Sequence, residues 1–373
     1  MYDLIVIGAG PAGSSAAYTA ASAGMNVLML DSRSFPRSKL CGGALTPKAV
    51  KVLRNVFGDI DYPCVISNRF VMAGKGQTRQ DLAVEIESRK EILRLIDRRS
   101  FDHILWKRAV ESGALFFRDK VRRIEPTDEG FVVHALENDY ESRFVIVGAG
   151  VFGSRLLETD TRNSYSLVYA ANVKSEQEIP RMILFEKGYA WIFPGPESVS
   201  FGAGQHPDYG KIPYDTARNL IVQIGAKEVE LRAAPLPIFD PEISIDLNRA
   251  VGGCLFVGDS GGFVDPWTGE GICFALDTGS QAVRSIARRF DDREGVNECF
   301  LENTHHIARH LSLGNAIRKA FFKNVKRSLE MSRDPRFSRM AIAFMERYTP
   351  RIGRLMVRSF FKRSVSVRVA NVT

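Results

Sequence analysis

Two glycine-rich turns, each directly behind a short apolar run and each leading into a helix-forming stretch, constrain the fold of this chain more than any other feature. The first is Leu4-Ile5-Val6-Ile7-Gly8-Ala9-Gly10-Pro11-Ala12-Gly13, followed by small residues through position 23. An apolar run, Gly-x-Gly-x-x-Gly and an alanine-rich stretch read as strand, tight turn and helix. Gly8 permits the turn, Gly10 lets the backbone approach a pyrophosphate, and Gly13 lets helix and strand pack closely. The helix N-terminus, with Pro11 and Ala12 in its first turn, offers N–H groups and a positive dipole end to phosphates. A second apolar run at 26–30 ends in Asp31, ahead of Ser32. There a carboxylate accepts hydrogen bonds from an adenosine ribose and repels a 2′-phosphate. The distant turn follows Leu255-Phe256-Val257-Gly258-Asp259 and stays glycine-rich through Gly269, Glu270 and Gly271 until Ile272 opens another helix. Asp259 can accept from ribityl hydroxyls, with helix capping as its plain structural role. The helix behind it can face the flavin pyrimidine carbonyls, where negative charge develops on reduction. Two distant segments folding onto one extended dinucleotide point to FAD.

Three further segments carry a family likeness. They are Phe35-Pro36-Arg37-Ser38-Lys39-Leu40-Cys41-Gly42-Gly43, Arg98 ahead of Phe101-Asp102, and Tyr189-Ala190-Trp191-Ile192-Phe193-Pro194 followed by Gly202 and Gly204. With the two turns, they make the chain resemble flavoproteins of the para-hydroxybenzoate hydroxylase fold and, within them, the geranylgeranyl reductase family. The Tyr-x-Trp-x-Phe-Pro signature is the most specific match, and the likeness covers roughly residues 1–290. It implies an α/β architecture in three parts. A Rossmann-like FAD-binding domain is assembled from residues 1–58, 99–160 and 250–300. An antiparallel β-sheet substrate domain comprises 59–98 and 161–249, and a basic helical region follows at 301–373.

The resemblance also implies site roles. Arg37, Lys39 and the turn Cys41-Gly42-Gly43, with Ala44, would wrap the isoalloxazine. Arg98 would reach the ribose or pyrophosphate, and Asp259 the flavin side. Val121, Gly148, Ala149, Gly150, Pro266, Gly269, Glu270, Gly271 and Ile272 would complete the cofactor set. Tyr189, Trp191 and Phe193 would line a pocket above the ring. The match fails at Ala149, where relatives carry the Asp of an Asp-Gly turn that contributes to pyridine-nucleotide handling. The electron donor therefore stays open between NADPH and a small electron carrier, including a donor protein.

The chain has 373 residues, enough for one large domain or two, and its 45% apolar and 25% charged content is that of an ordinary globular protein. No run approaches the roughly 18 apolar residues of a membrane-spanning helix. The first strand begins almost at residue 1, leaving no room for a signal peptide, so a cytoplasmic location is expected. The five cysteines lack C-x-x-C spacing, which argues against a structural metal site. Cys254 and Cys273 lie in apolar runs as core residues. Cys41, ahead of two glycines on a basic loop, reads either as a contact to flavin or substrate or as a small turn residue. The net charge of +8 is uneven, because residues 305–373 carry 16 Lys and Arg against 3 Asp and Glu. Between them stand Ile317, Phe321, Phe322, Val325, Leu329, Met340, Phe344, Leu355, Met356, Phe360 and Phe361. A basic amphipathic region suits an anionic membrane surface, here the inner face, better than nucleic acid; the plain reading is helices packed on the protein with solvated basic faces.

Locally, Thr46-Pro47 predicts a capped helix start, Ser100 a second one, and residues 165–204 an antiparallel sheet. A flavin exchanges hydride at N5, so the protein's task is to place a substrate carbon over that atom and exclude water and oxygen. The resemblance implies reduction of isolated C=C bonds in a polyprenyl lipid. An isolated alkene has no carbonyl to hold negative charge, so an acid must protonate one carbon; Cys41 and Tyr189 are the candidates, with Trp191 beside them. The alternatives are an aromatic monooxygenase of the same fold, a flavin halogenase, whose Trp-x-Trp-x-Ile-Pro segment is not matched at residues 189 and 193, and a non-enzymatic FAD-binding protein.

Overall fold

The computed structural model describes residues 1–74, 82–158, 164–226, 229–348 and 355. The chain runs β1 (Tyr2–Ile7), α1 (Pro11–Ser22), β2 (Val27–Asp31), β3 (Ala44–Leu45), α2 (Pro47–Phe57), β4 (Cys64–Ser67), β5 (Arg69–Gly74), β6 (Leu82–Glu87), β7 (Leu93–Ile96), α3 (Arg98–Glu111), β8 (Leu115–Arg118), β9 (Arg123–Pro126), β10 (Phe131–His134) and β11 (Asp139–Val147). It continues through β12 (Tyr165–Val173), β13 (Arg181–Phe185), β14 (Gly188–Pro194), β15 (Val199–Gln205), α4 (Tyr214–Gln223), β16 (Arg232–Pro237), α5 (Pro241–Arg249), β17 (Cys254–Phe256), α6 (Ile272–Arg288), α7 (Arg293–Phe322), α8 (Val325–Ser332) and α9 (Pro335–Glu346).

The first sheet has the order β8-β2-β1-β11-β10-β9, with β17 also paired to β11. β8, β2, β1, β11 and β17 are parallel neighbours, and β10 and β9 add an antiparallel extension. Its central strands are apolar on both faces because both are covered, as parallel sheets require. Leu4, Val6 and Met29 face α1 and α6, whereas Ile5, Ile7, Leu28 and Leu30 face the opposite cluster with Val121 and Leu247. Cys254 and Cys273 are fully buried.

The second sheet has the order β16-β12-β15-β14-β13-β5-β6. Its pairings are antiparallel except for β13 with β5. Alternation along β14 sends Ala190 and Ile192 to one face, against α4, and Tyr189 and Phe193 to the other, against Phe321, Phe322 and Leu329 of the C-terminal helices. β4 and β7 do not join this sheet. They form a separate three-stranded sheet of order β3-β7-β4, in which β7 pairs with β3 and anchors the end of the 35–45 loop.

Two local expectations resolve differently. Thr46 caps α2 as predicted, its hydroxyl accepting from Ala49 N–H. The next helix instead begins at Arg98, because the Asp97 carboxylate accepts from the N–H groups of Arg99 and Ser100. A carboxylate also suits the positive end of the helix dipole.

The apolar residues of the basic tail are largely spent inside the protein. Ile317, Phe321, Phe322, Leu329 and Phe344 are buried, and each full burial stabilises by about 1.5–3 kcal/mol. Arg318 is only 2% exposed and donates to Asp208 and Asn315. Lys319, Lys323 and Lys326 are exposed, and so is Leu355. Met356, Phe360 and Phe361 lie outside the described residues. Among the described residues no helix is long and apolar enough to cross a membrane.

Candidate active site

The N-terminal turn is shaped by what its glycines leave out. A Cβ on Gly13 would fall 1.7 Å from Gly8 O, and one on Gly8, whose φ is +92°, 2.5 Å from Gly148 O. Helix and strand therefore meet backbone to backbone. Gly10 differs, because its added Cβ would meet only Arg37 Nη2, at 3.4 Å. No side chain caps α1, so its first N–H groups face the cleft beside Gly10. The Asp31 carboxylate pins this turn by accepting from Ala9 N–H at 2.8 Å and Arg33 N–H at 2.9 Å. A carboxylate has further acceptor capacity beyond these two bonds.

The C-terminal turn closes on the same cleft. α6 also starts without a side-chain cap, at Gly271, and a Cβ there would lie 3.3 Å from Asp259 Oδ1. Asp259 sits in the 3-10 turn Gly258–Gly261 rather than capping the helix, and Lys39 Nζ reaches its carboxylate at 3.3 Å. α6 runs against α1, where the missing side chain of Gly279 leaves room for Ala12 O and Ser15 Oγ donates to Leu276 O. The two uncapped helix N-termini thus border one turn, Gly258 lying against Ala12 and Asp259 against Gly271, and each end attracts an anion.

The basic loop is organised by a residue of the Arg98 segment that sequence reasoning named without a role. Asp102, fully buried, accepts from Arg98 Nε at 2.7 Å and Nη2 at 2.8 Å, and Arg37 Nη1 lies 3.5 Å away. Burial alone would lower the Arg98 pKa; the Asp102 carboxylate and the Cys41 side chain beside it more than offset this and raise it. The cation against Cys41 is therefore Arg98. Arg37 turns to Asp102 and stacks over Phe35 at 4.8 Å, and Lys39 goes to Asp259. The Asp102 signal was legible as an Arg and an Asp four residues apart on a helix.

The second sheet roofs this loop. A Cβ on Gly42 would lie 2.7 Å from Phe193 Cδ2 and 3.5 Å from Trp191 Nε1, so the Cys41-Gly42-Gly43 turn presses on those rings. Trp191 Nε1 donates to Ser200 Oγ, which donates to Cys41 O. The indole lies flat over Gly202, where a Cβ would come within 1.9 Å. Tyr189 donates its hydroxyl to Thr268 O at 2.8 Å, and burial, then the nearby Asp265, push its pKa up. A cavity of about 40 Å³ lies between the loop and the roof, bordered by Lys39, Cys41, Gly42, Arg98, Phe193 and Ser200. Of the remaining assigned residues, Val121 is buried among core side chains beneath the first sheet, Ser32 is exposed next to Asp31, and Ala149 is exposed with its Cα against Gly8.

Residues 3–120 match the model of the FAD dependent oxidoreductase family. An uncharacterized protein of Methanosarcina barkeri is 31% identical over 351 residues, 88% of this chain and 86% of its own length. The geranylgeranyl diphosphate reductase of Rhodobacter capsulatus is 28% identical over 306 residues, 76% of this chain and 74% of its own. This chain belongs to the geranylgeranyl reductase family of FAD-dependent oxidoreductases. Among solved structures, the flavin-dependent brominase Bmp2 superposes with a TM-score of 0.76 over 97% of this chain and 100% of its own, at 18% identity. That likeness shows the fold. The residues present fit FAD: the open side of Gly10, two uncapped helix ends and the Arg37, Lys39 and Arg98 cations suit a pyrophosphate-bridged cofactor.

Proposed function

We propose that this oxidoreductase reduces isolated C=C bonds of a polyprenyl, geranylgeranyl-type lipid. The observation that carries the reading is the contact of Trp191 and Phe193, in one row with Tyr189, with Gly42 of the Cys41–Gly43 turn. A hydrocarbon held on that row lies next to the loop assigned to the flavin ring. Beyond the row, the same sheet face is apolar at Met72 and Leu184 and is covered by Phe321, Phe322 and Leu329 of α7 and α8. A long chain would be received between sheet and helices. The Rhodobacter relative, named for geranylgeranyl diphosphate, supports this substrate class.

Bound FAD supplies hydride chemistry; the protein supplies placement and a proton. Tyr189 commits its hydroxyl to Thr268 O, so the geometry favours Cys41 as the acid. The Arg98 guanidinium beside it compensates the negative charge left on sulfur. Gly42, without a side chain, keeps the rings and the turn in contact. The electrons come from a small carrier rather than from NADPH, a reading supported by the exposed Ala149 in the 148–150 turn. The test is product analysis in deuterated water. Two carbon-bound deuteriums per reduced double bond, both drawn from solvent-exchangeable positions, lost together with turnover in Cys41→Ala but not in Tyr189→Phe, are expected. Hydroxylation of an aromatic acid with NADPH in air, without any reduced lipid, would replace this reading by the monooxygenase.

We further propose peripheral contact with anionic membranes through Lys319, Lys323 and Lys326. Each basic residue near such a surface contributes about 1 kcal/mol, screened by salt. Sedimentation with anionic vesicles should fall as salt rises and on reversing these three charges. Arg318 is excluded from that set because its charge is used inside the protein. Equal binding to neutral vesicles would contradict the proposal.

A further inference from the structure

A buried charged group none of the preceding chemistry uses lies behind the flavin-side turn. Lys48, 3% exposed, sets its Nζ 3.2 Å from Glu270 Oε2 and 3.0 Å from His310 Nε2. The second oxygen of Glu270 accepts from Thr46 Oγ1 at 2.5 Å. Three parts of the chain are joined at this point: the start of α2, directly behind the 41–45 loop; the Gly269-Glu270-Gly271 turn, directly ahead of α6; and α7 of the C-terminal region.

As a stabilising device the arrangement is poor. A buried ion pair recovers little more than its own desolvation. Lys48 also occupies the first turn of α2, where the helix dipole disfavours a cation. Ammonium contacts with the rings of Phe274 at 4.7 Å and Tyr348 at 5.3 Å soften that cost without removing it. The charge itself is maintained: burial would lower the Lys48 pKa, but Glu270 above all raises it. His310 is held neutral, its pKa lowered to about 2 by burial and then by Lys48, so it accepts from the ammonium rather than competing with it. A cation kept charged in a dry site, immediately behind the turn where reduction places negative charge, is positioned to act on the reduced cofactor.

We propose that Lys48 is a positioning residue for the flavin: through Glu270 it fixes the 269–271 turn against the 41–45 loop, and its buried charge favours the reduced over the oxidised cofactor. This rests on the reading of residues 269–272 as the flavin-side turn.

The test compares Lys48→Met and Glu270→Gln holoproteins by dye-equilibrated redox titration, together with their affinities for oxidised and reduced FAD. Glutamine keeps an acceptor for Thr46. Removing the cation should weaken reduced FAD about tenfold more than oxidised FAD, a fall of about 30 mV for a two-electron couple. Removing the anion should shift the potential upward by a similar amount. Opposite signs are the result expected of charge, because a purely structural role moves both variants alike. Equal losses of affinity in both redox states would overturn the redox role while keeping the turn at the flavin. Unchanged affinities and potentials in both variants would remove the turn from the flavin altogether, and the proposal with it. Should Lys48→Met fail to fold, Glu270→Gln decides alone: no upward shift overturns the proposal.

Discussion

The cofactor cleft and the aromatic roof are built on opposite principles. Around Gly8, Gly10 and Gly13 the site consists of backbone brought close by missing side chains, and its ligand-facing groups are N–H donors of two helices. At Trp191 the site consists of bulk, and each ring is held by partners from another strand or loop: Ser200, Gly202 and Gly42. A backbone-built site tolerates almost no added atom. A side-chain-built wall yields to mutation by degrees and can change what it accepts.

The largest expected contrast lies within the fingerprint itself. Gly13→Ala places a Cβ on Gly8 O and should destabilise the apoprotein by about 3–5 kcal/mol, the upper range for single substitutions. Gly10→Ala has open space and should change apoprotein stability by no more than about 1 kcal/mol. It should nevertheless weaken FAD at least about a hundredfold, or about 2.8 kcal/mol. Thermal melts of the apoproteins and fluorescence titration with FAD separate the two; similar melting temperatures would break the distinction.

Next in size is Asp102→Asn. Removing one partner of a buried pair costs about 3–5 kcal/mol, and here Arg98 and Arg37 both lose their carboxylate. FAD addition should recover part of that stability, because a phosphate can take over the guanidinium. Denaturant melts with and without FAD would show it, and no difference in FAD-induced stabilisation from the parent would place Arg98 away from the cofactor.

In the roof, Trp191→Ala should reduce lipid turnover more than FAD affinity, and equal loss of both would make the indole purely structural. Gly202→Ala should be costly in the parent and far cheaper once the indole is gone. The coupling in a double-mutant cycle of melts should reach about 1–3 kcal/mol. Additive effects would mean that the indole does not rest on Gly202.

A further prediction is a pH slope. The His310 pKa is lowered to about 2 in the folded state, below its ordinary 6.5, so the unfolded chain binds more protons between those values. The associated stability is complete above about pH 6.5 and is lost as pH falls. His310→Gln should flatten the acid limb by up to about 1.4 kcal/mol per pH unit. An unchanged slope would show that His310 protonates in place.

This contrast explains what could be read from the chain. The Gly8–Gly13 contact, the Thr46 cap and the 272 helix start depend on neighbours within a few residues, and Asp31 on its place at a strand end, and all were legible. Residues 189, 191 and 193 share a face by alternation alone, and that too was legible. The partners of distant residues were not: Lys48 with Glu270 and His310, Lys39 with Asp259, and Asp265 in the core beside α7 are created by the return of the chain after β17. Nor did composition reveal that Phe321, Phe322, Val325 and Leu329 of the basic tail cover the second sheet while Ile317, Met340 and Phe344 pack beside Trp267, since an amphipathic face looks the same whether it meets lipid or protein.

The most direct test of the account is anaerobic mixing of chemically reduced, FAD-loaded protein with a geranylgeranyl lipid. The flavin absorbance should return in step with the appearance of a lipid carrying two more hydrogens per double bond, and Trp191→Ala should slow that return while keeping its FAD. A flavin that stays reduced in the presence of the lipid, yet reoxidises with NADP⁺ or with oxygen and an aromatic acid, would contradict the assignment.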